Sequence, residues 1–124
     1  MKELTKAKED YLEAILMLEK SKGIVRTSEI ARLLNVSRPG VTKAMNALKA
    51  AGLIEKENYG AILLTKAGRL QANEILNRHN KIKMFLIKLG VSPETAELDC
   101  CKIEHVISDE TFEKIKNFIK QKPD

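Results

Sequence analysis

The sequence of 124 residues contains no long run of apolar residues. A helix that crosses a membrane needs about 20 mostly apolar residues, and no segment approaches that length. The first residues also lack the apolar core of a secretion signal. We therefore expect a protein that stays in the cytoplasm and has no membrane partner.

Three patterns by which many enzymes are recognised are also missing. The sequence has no His-Glu-x-x-His run, no glycine-rich phosphate loop and no nucleophile elbow. A metalloenzyme stays an alternative in principle, because a metal ion with an open coordination position can activate water. We expect that the protein is not an enzyme.

Cysteine is scarce, and the two that occur, Cys100 and Cys101, are adjacent. Neighbouring cysteines are poor disulfide partners, and a reducing compartment keeps them as thiols. We expect Cys100 to be a core residue rather than a ligand. Low-complexity runs are absent too, and 44% of the residues are hydrophobic, which indicates an ordered chain with a real core.

Charge is distributed unevenly along the chain. Residues 26–49 carry a net charge of +4, whereas residues 94–113 carry a net charge of −6. A basic part followed by an acidic part suits phosphate binding in the first and cation binding in the second. Solvated helix faces would give the same counts, so this observation supports a function only together with others.

Two short helices joined by a tight turn are predicted in the first half of the chain. Thr27 or Ser28 can cap the first helix, and Ser37 can cap the second, which Gly52 ends. The preceding segment is an amphipathic helix that Gly23 ends. Two short helices in this order are typical of a helix-turn-helix.

A hairpin is predicted directly after this helix pair. Residues 53–57 and 61–64 read as strands around a turn at 58–60. The pattern predicts a mainly α fold with a winged helix-turn-helix domain at 1–64. A helical metal-binding and dimerisation domain would follow at 65–124.

The second helix of the pair would enter the major groove of double-stranded DNA. Arg and Asn can read bases, Ser and Thr can contact bases or phosphates, and peripheral groups position the protein. The predicted contacts of the reading helix are Ser37, Arg38, Pro39, Gly40, Thr42, Lys43 and Asn46. The predicted peripheral contacts are Thr27, Lys49 and Tyr59. The alternative is that Arg38 and Lys43 are merely solvated.

A transition-metal half-site is predicted near the acidic end. Cys101, Glu104 and His105 share one face of a helix, and they offer a thiolate, a carboxylate and an imidazole. An ordinary surface helix with a core cysteine would show the same spacing. Further donors would come from elsewhere in the chain: Asp10, Glu13 and His79.

Three helices are predicted after the wing. Thr65 can cap a long helix that Gly90 ends, Ser92 opens the next one, and Ser108 caps the last. An apolar stripe on the last helix needs something to pack on: Phe112, Ile115, Phe118 and Ile119. Packing within the chain is one answer, and we favour a homodimer built from the C-terminal helices.

In this order the elements resemble the metal-dependent repressors of the diphtheria toxin repressor and manganese transport regulator family. The resemblance rests on segments 10–13, 37–52, 64–68, 78–79 and 101–109. It implies that a divalent metal is held between the two parts. It also implies that the metal-loaded protein binds operator DNA and so represses metal-uptake genes. Carried over by position, the ligands are Asp10, Glu13, His79, Cys101, Glu104 and His105. A winged-helix factor without metal dependence is the alternative.

The ligand set departs from both branches of that family. Asp10 is similar to the manganese branch, whose iron-sensing relatives have Met there, whereas Cys101 is similar to the iron branch. Lys83 stands where the iron branch has a Glu of a second site, and we expect that this protein lacks that branch's SH3-like domain. The resemblance implies manganese or iron, with zinc or cobalt as alternatives.

Overall fold

The computed structural model describes residues 5–121, which form six helices and one two-stranded antiparallel sheet. In chain order the elements are α1 (Lys6–Lys22), α2 (Thr27–Leu34), α3 (Arg38–Ala50), β1 (Ile54–Lys56), β2 (Ile62–Leu64), α4 (Lys66–Lys88), α5 (Pro93–Ile103) and α6 (Asp109–Lys120). A hairpin directly after α2 and α3 confirms the predicted winged helix-turn-helix class. None of the described helices combines the length and the apolar character needed to cross a membrane.

Most helices begin where a side-chain oxygen accepts a hydrogen bond from the first turn. Ser37 Oγ accepts from the backbone N–H three residues ahead at 3.1 Å, and Thr65 Oγ1 does the same at 3.0 Å. Ser92 and Ser108 repeat the arrangement. The predicted caps of four helices are therefore confirmed, because each hydroxyl satisfies a backbone donor that the helix itself leaves open.

The start of α2 differs from the prediction. The helix begins at Thr27 itself, so the prediction of a cap at Thr27 or Ser28 is wrong. Arg26 holds the cap position with an extended backbone, and its N–H donates to Glu29 Oε1 at 3.1 Å. The carboxylate in the first turn thus satisfies the backbone N–H of the cap residue itself, which is the second hydrogen bond of a capping box.

The described chain forms two compact units that divide between Asn73 and Glu74. In the first unit α1 packs against α2 and α3. The wing contacts the same core, since β1 packs against α3 and β2 against α1. Just before α2 the chain runs beside the wing as an isolated antiparallel bridge, in which Ile62 N–H donates to the Val25 carbonyl at 2.8 Å. The fully buried side chains of this unit are Leu12, Ile15, Leu16, Val25, Ile30, Val41, Leu48, Ile54 and Ile62.

The second unit has its own core, in which α5 and α6 pack with the end of α4. Ile82, Cys100 and Phe112 form its buried centre, which confirms the prediction that Cys100 is a core residue. The stripe predicted on α6 packs partly within the chain: Phe112 and Ile115 are buried, whereas Phe118 is 39% exposed. Phe118 lies edge-to-face with Phe85, with ring centroids 5.5 Å apart.

Gly68, in the first turn of α4, lies against the backbone of the segment before β1. A Cβ atom built on Gly68 would stand 1.9 Å from the carbonyl oxygen of Leu53. That oxygen also accepts from Thr65 N–H at 3.1 Å, so it is held in place. The start of α4 therefore requires glycine because of close packing and not because of an unusual backbone angle.

We expect Gly68→Ala to lower the free energy of unfolding by roughly 1–3 kcal/mol, since the added methyl group must push two backbone segments apart. Chemical denaturation followed by circular dichroism would measure the change. Ala67→Ser, at the exposed neighbouring position, is the matched control and should stay within about 0.5 kcal/mol of the parent. Equal stability of the Gly68 variant and the control would contradict this account.

Candidate functional site

The polar face of α3 is the first candidate surface. Val41, Met45 and Leu48 point into the core of the first unit, so the opposite face is left to solvent. The residues predicted to read DNA are all exposed there: Ser37, Arg38, Pro39, Gly40, Thr42, Lys43 and Asn46, with Lys49 in the last turn. No acidic residue stands in the first turn, so the positive end of the helix dipole is open to anions.

The turn of the wing is the second part of this surface. Tyr59 is 64% exposed at its tip, and Arg26 Nη1 donates to the Tyr59 carbonyl at 2.8 Å. Thr27 is half-buried at the start of α2. No local pattern predicts the role of Arg26, because the contact joins residues 33 positions apart.

Asp10 and Glu13 lie on α1 in the first unit, three residues apart and therefore on one side of the helix. Asp10 is half-buried, and Glu13 is only 8% exposed among apolar neighbours on the same helix. Carboxylates are rarely buried unless they are paired or bind a cation. The burial of Glu13 is therefore the feature of α1 that favours a ligand role.

The other four predicted ligands lie in the second unit. His79 Nδ1 is 3.3 Å from Glu104 Oε2 and 3.7 Å from Cys101 Sγ. His105 Nε2 is 3.4 Å from Glu104 Oε1. The structure thus brings His79, Cys101, Glu104 and His105 together, with His79 and Glu104 both buried.

One expectation about these residues is wrong: Glu104 and His105 do not lie within a helix. α5 ends at Ile103, and both residues belong to the turn that follows. Glu104 keeps helical backbone angles and its N–H donates to the Cys100 carbonyl at 3.0 Å, so the helical spacing holds for one more residue.

A distant side chain holds this turn. Arg78 Nη2 donates to the Ile107 carbonyl at 2.6 Å, and Nη1 contacts Asp109 at 3.3 Å. The guanidinium also lies 5.0 Å from the centroid of the Phe112 ring. This contact joins residues 29 positions apart and holds the loop between α5 and α6, which helical periodicity does not show.

Sequence reasoning missed Glu97 as a member of this cluster. Glu97 Oε2 is 2.7 Å from His79 Nε2, and Cys101 Sγ donates to the same oxygen at 3.5 Å. The spacing rule could have found it, because Glu97 stands four residues before Cys101 on one helix. Cys100, interpreted from sequence as core alone, also has its Sγ 3.5 Å from His79 Nε2.

The protonation of the cluster follows from burial and from Lys83. Burial raises the pKa of the Cys100 thiol to about 11, and burial with the neighbouring Cys100 and Glu97 charges raises the pKa of Cys101 further. Burial would raise the pKa of Glu97 as well, but the hydrogen bond from Lys83 and the charge of His79 bring that pKa below its usual value. Near neutral pH both thiols are therefore protonated, and a cation must displace their protons.

These groups pass a simple chemical test as metal ligands. Imidazole nitrogen, carboxylate oxygen and thiolate sulfur are the donors that transition metals take in proteins. Donor atoms from His79, Glu97, Cys100 and Cys101 all lie within 4.8 Å of one another. His79 and Glu104 are both buried, so one imidazole and one carboxylate are kept from water. A buried carboxylate is expected beside a bound cation.

We expect Arg78→Met to lower the free energy of unfolding by about 1–2 kcal/mol, because the Ile107 carbonyl would lose a charged donor. Lys114→Met removes one exposed positive charge from α6 and serves as the control, with a change within about 0.5 kcal/mol. Thermal unfolding of both variants would measure the difference. The prediction fails if Arg78→Met is as stable as Lys114→Met.

Comparison with known proteins covers both units. Residues 3–62 match the sequence profile described as the iron dependent repressor N-terminal DNA binding domain. Residues 65–123 match the metal binding and dimerisation domain of the same description.

Among similar proteins, the transcriptional regulator MntR of Escherichia coli O157:H7 is 38% identical over 110 residues, which are 89% of this chain and 71% of the relative. The crystal structure of IdeR from T. acidophilum is 29% identical with a TM-score of 0.84, covering 98% of this chain. A manganese-dependent transcriptional repressor in complex with manganese is 27% identical with a TM-score of 0.83, covering 90% of this chain. The chain spans 56% and 52% of these two solved proteins, so about half of each.

Proposed function

The chain belongs to the iron-dependent repressor family, and from this premise we propose that it is a metal-responsive, DNA-binding transcriptional regulator that represses genes for divalent-metal uptake. The observation that carries the proposal is the buried group of imidazole, carboxylate and thiol donors around His79. A regulator of this kind acts where the chromosome is, so we place it in the cytoplasm, and we propose no enzymatic activity.

The proposed division of labour follows the predicted domains. Residues 1–64 bind the operator through α3 and the wing, and residues 65–124 bind metal and form a homodimer through the C-terminal helices. A symmetric dimer presents two copies of α3, and two half-sites on B-DNA are read when they lie about one helical turn, ~34 Å, apart. The partly exposed Phe118 at the end of α6 supports a partner for that face.

For operator recognition, the proposed base contacts come from the exposed start of α3. Arg38 suits guanine and Asn46 suits adenine, because each offers a bidentate pattern. Lys49, Thr27 and Tyr59 stand at the periphery, where contacts to phosphate position the protein without reading sequence.

For metal recognition, we propose that six residues contribute ligands: Asp10, Glu13, His79, Cys101, Glu104 and His105. Support comes from each unit separately, through the burial of Glu13 on α1 and through the contacts among His79, Glu104 and His105. A bound divalent ion supplies positive charge that offsets the buried carboxylates. With ligands from both units, the bound metal would restrict the distance between the two copies of α3 in the dimer. A narrower range of distances favours the state that binds the operator.

Manganese or iron is the proposed metal, with zinc and cobalt as alternatives. The carboxylates of Asp10, Glu13 and Glu104 suit manganese, whereas Cys101 shifts the preference toward softer ions. The manganese-dependent relative solved with its metal supports the first choice.

The test is selection of genomic DNA fragments by the purified protein, followed by gel shift of the recovered fragments. The lanes contain chelator, manganese, zinc, or iron kept anaerobic. We expect retardation only with metal, and the ranking of metals identifies the preferred ion. Equal retardation with chelator would instead favour a winged-helix factor without metal dependence.

Replacement of single ligands separates metal sensing from folding. We expect Glu104→Ala and His105→Ala each to abolish metal-dependent operator binding, because each removes a proposed ligand, while both variants remain folded dimers. Glu110→Ala, on the exposed first turn of α6, is the matched control. Gel shift and light scattering supply the two measurements, and normal metal-dependent binding by both ligand variants would contradict the proposed site.

The reading surface can be tested by salt dependence. We expect Lys49→Ala to weaken binding on every DNA sequence and to reduce the slope of log affinity against log salt by about 1, because one proposed phosphate contact is lost. Lys20→Ala removes an exposed charge from α1 and should leave that slope unchanged. An unchanged slope for Lys49→Ala would contradict the proposed phosphate contact.

A further inference from the structure

The turn of the wing, residues 57–60, carries Tyr59, which is a proposed phosphate contact. The strands that flank this turn, β1 and β2, are three residues long each. Within the turn, Gly60 N–H donates to the Glu57 carbonyl at 2.9 Å, and Glu57 N–H donates to the Ala61 carbonyl at 2.8 Å. A short two-stranded hairpin is only marginally stable by itself, so the position of this turn depends on contacts from outside the wing.

Arg26 reaches the turn of the wing from the segment between α1 and α2. Its Nη1 donates to the Tyr59 carbonyl at 2.8 Å. The same nitrogen lies 3.6 Å from the place that a Cβ atom on Gly60 would occupy. A charged donor makes a stronger hydrogen bond than a neutral one, so the guanidinium can hold both residues at the tip of the wing.

The backbone that carries Arg26 is itself held on two sides. Arg26 N–H donates to Glu29 Oε1, in the first turn of α2, at 3.1 Å. The carbonyl of the preceding residue, Val25, accepts from Ile62 N–H on β2 at 2.8 Å, and Val25 is buried. The side chain of Arg26 therefore extends to the wing from a fixed position.

We propose that Arg26 is a positioning residue for operator binding, which holds the turn of the wing so that Tyr59 is presented to a DNA phosphate. This inference rests on the proposed function and adds a residue outside the proposed contacts. The bond from Arg26 to Tyr59 is exposed to solvent, where it contributes only modestly to the stability of the fold. Its effect falls on binding, because a loop that is already ordered loses less conformational freedom when it meets DNA.

The alternative role for Arg26 is direct contact with phosphate, since a guanidinium has five N–H donors. The two roles differ in their salt dependence. Loss of a cationic phosphate contact reduces the slope of log affinity against log salt by about 1. Tyr59 is neutral, so a displaced Tyr59 weakens binding and leaves that slope unchanged.

The first measurement is amide hydrogen exchange without DNA, at Gly60 and Glu57, whose N–H groups close the turn. We expect exchange at both amides to be roughly threefold to tenfold faster in Arg26→Met, because the turn opens more often without the guanidinium. Lys20→Met removes an exposed charge from α1 and is the matched control, which should exchange as the parent does. Unchanged exchange in Arg26→Met would overturn the proposal.

The second measurement is operator affinity against salt in a double-mutant cycle with Tyr59→Ala. We expect Arg26→Met to weaken binding by about fivefold with an unchanged slope, and by less than about twofold when Tyr59→Ala is already present. The thermal midpoint of Arg26→Met should stay within about 4 °C of the parent, because Arg26 is exposed.

Three results of the cycle would overturn the positioning role. They are a fall of about 1 in the salt slope, equal losses of affinity in the two backgrounds, and a larger fall of the thermal midpoint that makes Arg26 a residue of the fold. Failure of the proposed function would appear differently, as a parent protein that shows no metal-dependent gel shift. Hydrogen exchange tests the hold of Arg26 on the wing in either case.

Discussion

The carboxylate of Glu104 is kept almost entirely from water, at 4% exposure, with His79 at 3.3 Å and His105 at 3.4 Å. Burial of a carboxylate costs several kcal/mol unless positive charge or hydrogen bonds offset it. Apolar packing around Ile82 and Phe112 stabilises the second unit and so opposes this cost. A cation bound by these groups would stabilise the folded state by mass action, and metal binding would then be linked to the stability of this unit.

Glu97 shows how one carboxylate can serve two partners. Its Oε1 accepts from Lys83, while its Oε2 faces His79 and Cys101. The hydrogen bond from the Lys83 ammonium lowers the pKa of Glu97, so the carboxylate stays ionised although it is partly buried. Lys83, Glu97, His79 and Cys101 therefore form one hydrogen-bonded group that links α4 to α5.

Features that depend on neighbouring residues in sequence were predictable, and features that depend on distant contacts were not. The caps at Ser37, Thr65, Ser92 and Ser108 follow from local hydrogen bonding, and the hairpin follows from strand pattern and turn residues. The end of α5 at Ile103 has no local stop signal, and the loop that follows is held at Ile107 by Arg78 from another helix. The same-face rule that groups Cys101, Glu104 and His105 extends to Glu97, which stands four residues before Cys101 on α5. The pairing of Cys100 with His79 depends on how α4 packs against α5, which no local pattern encodes.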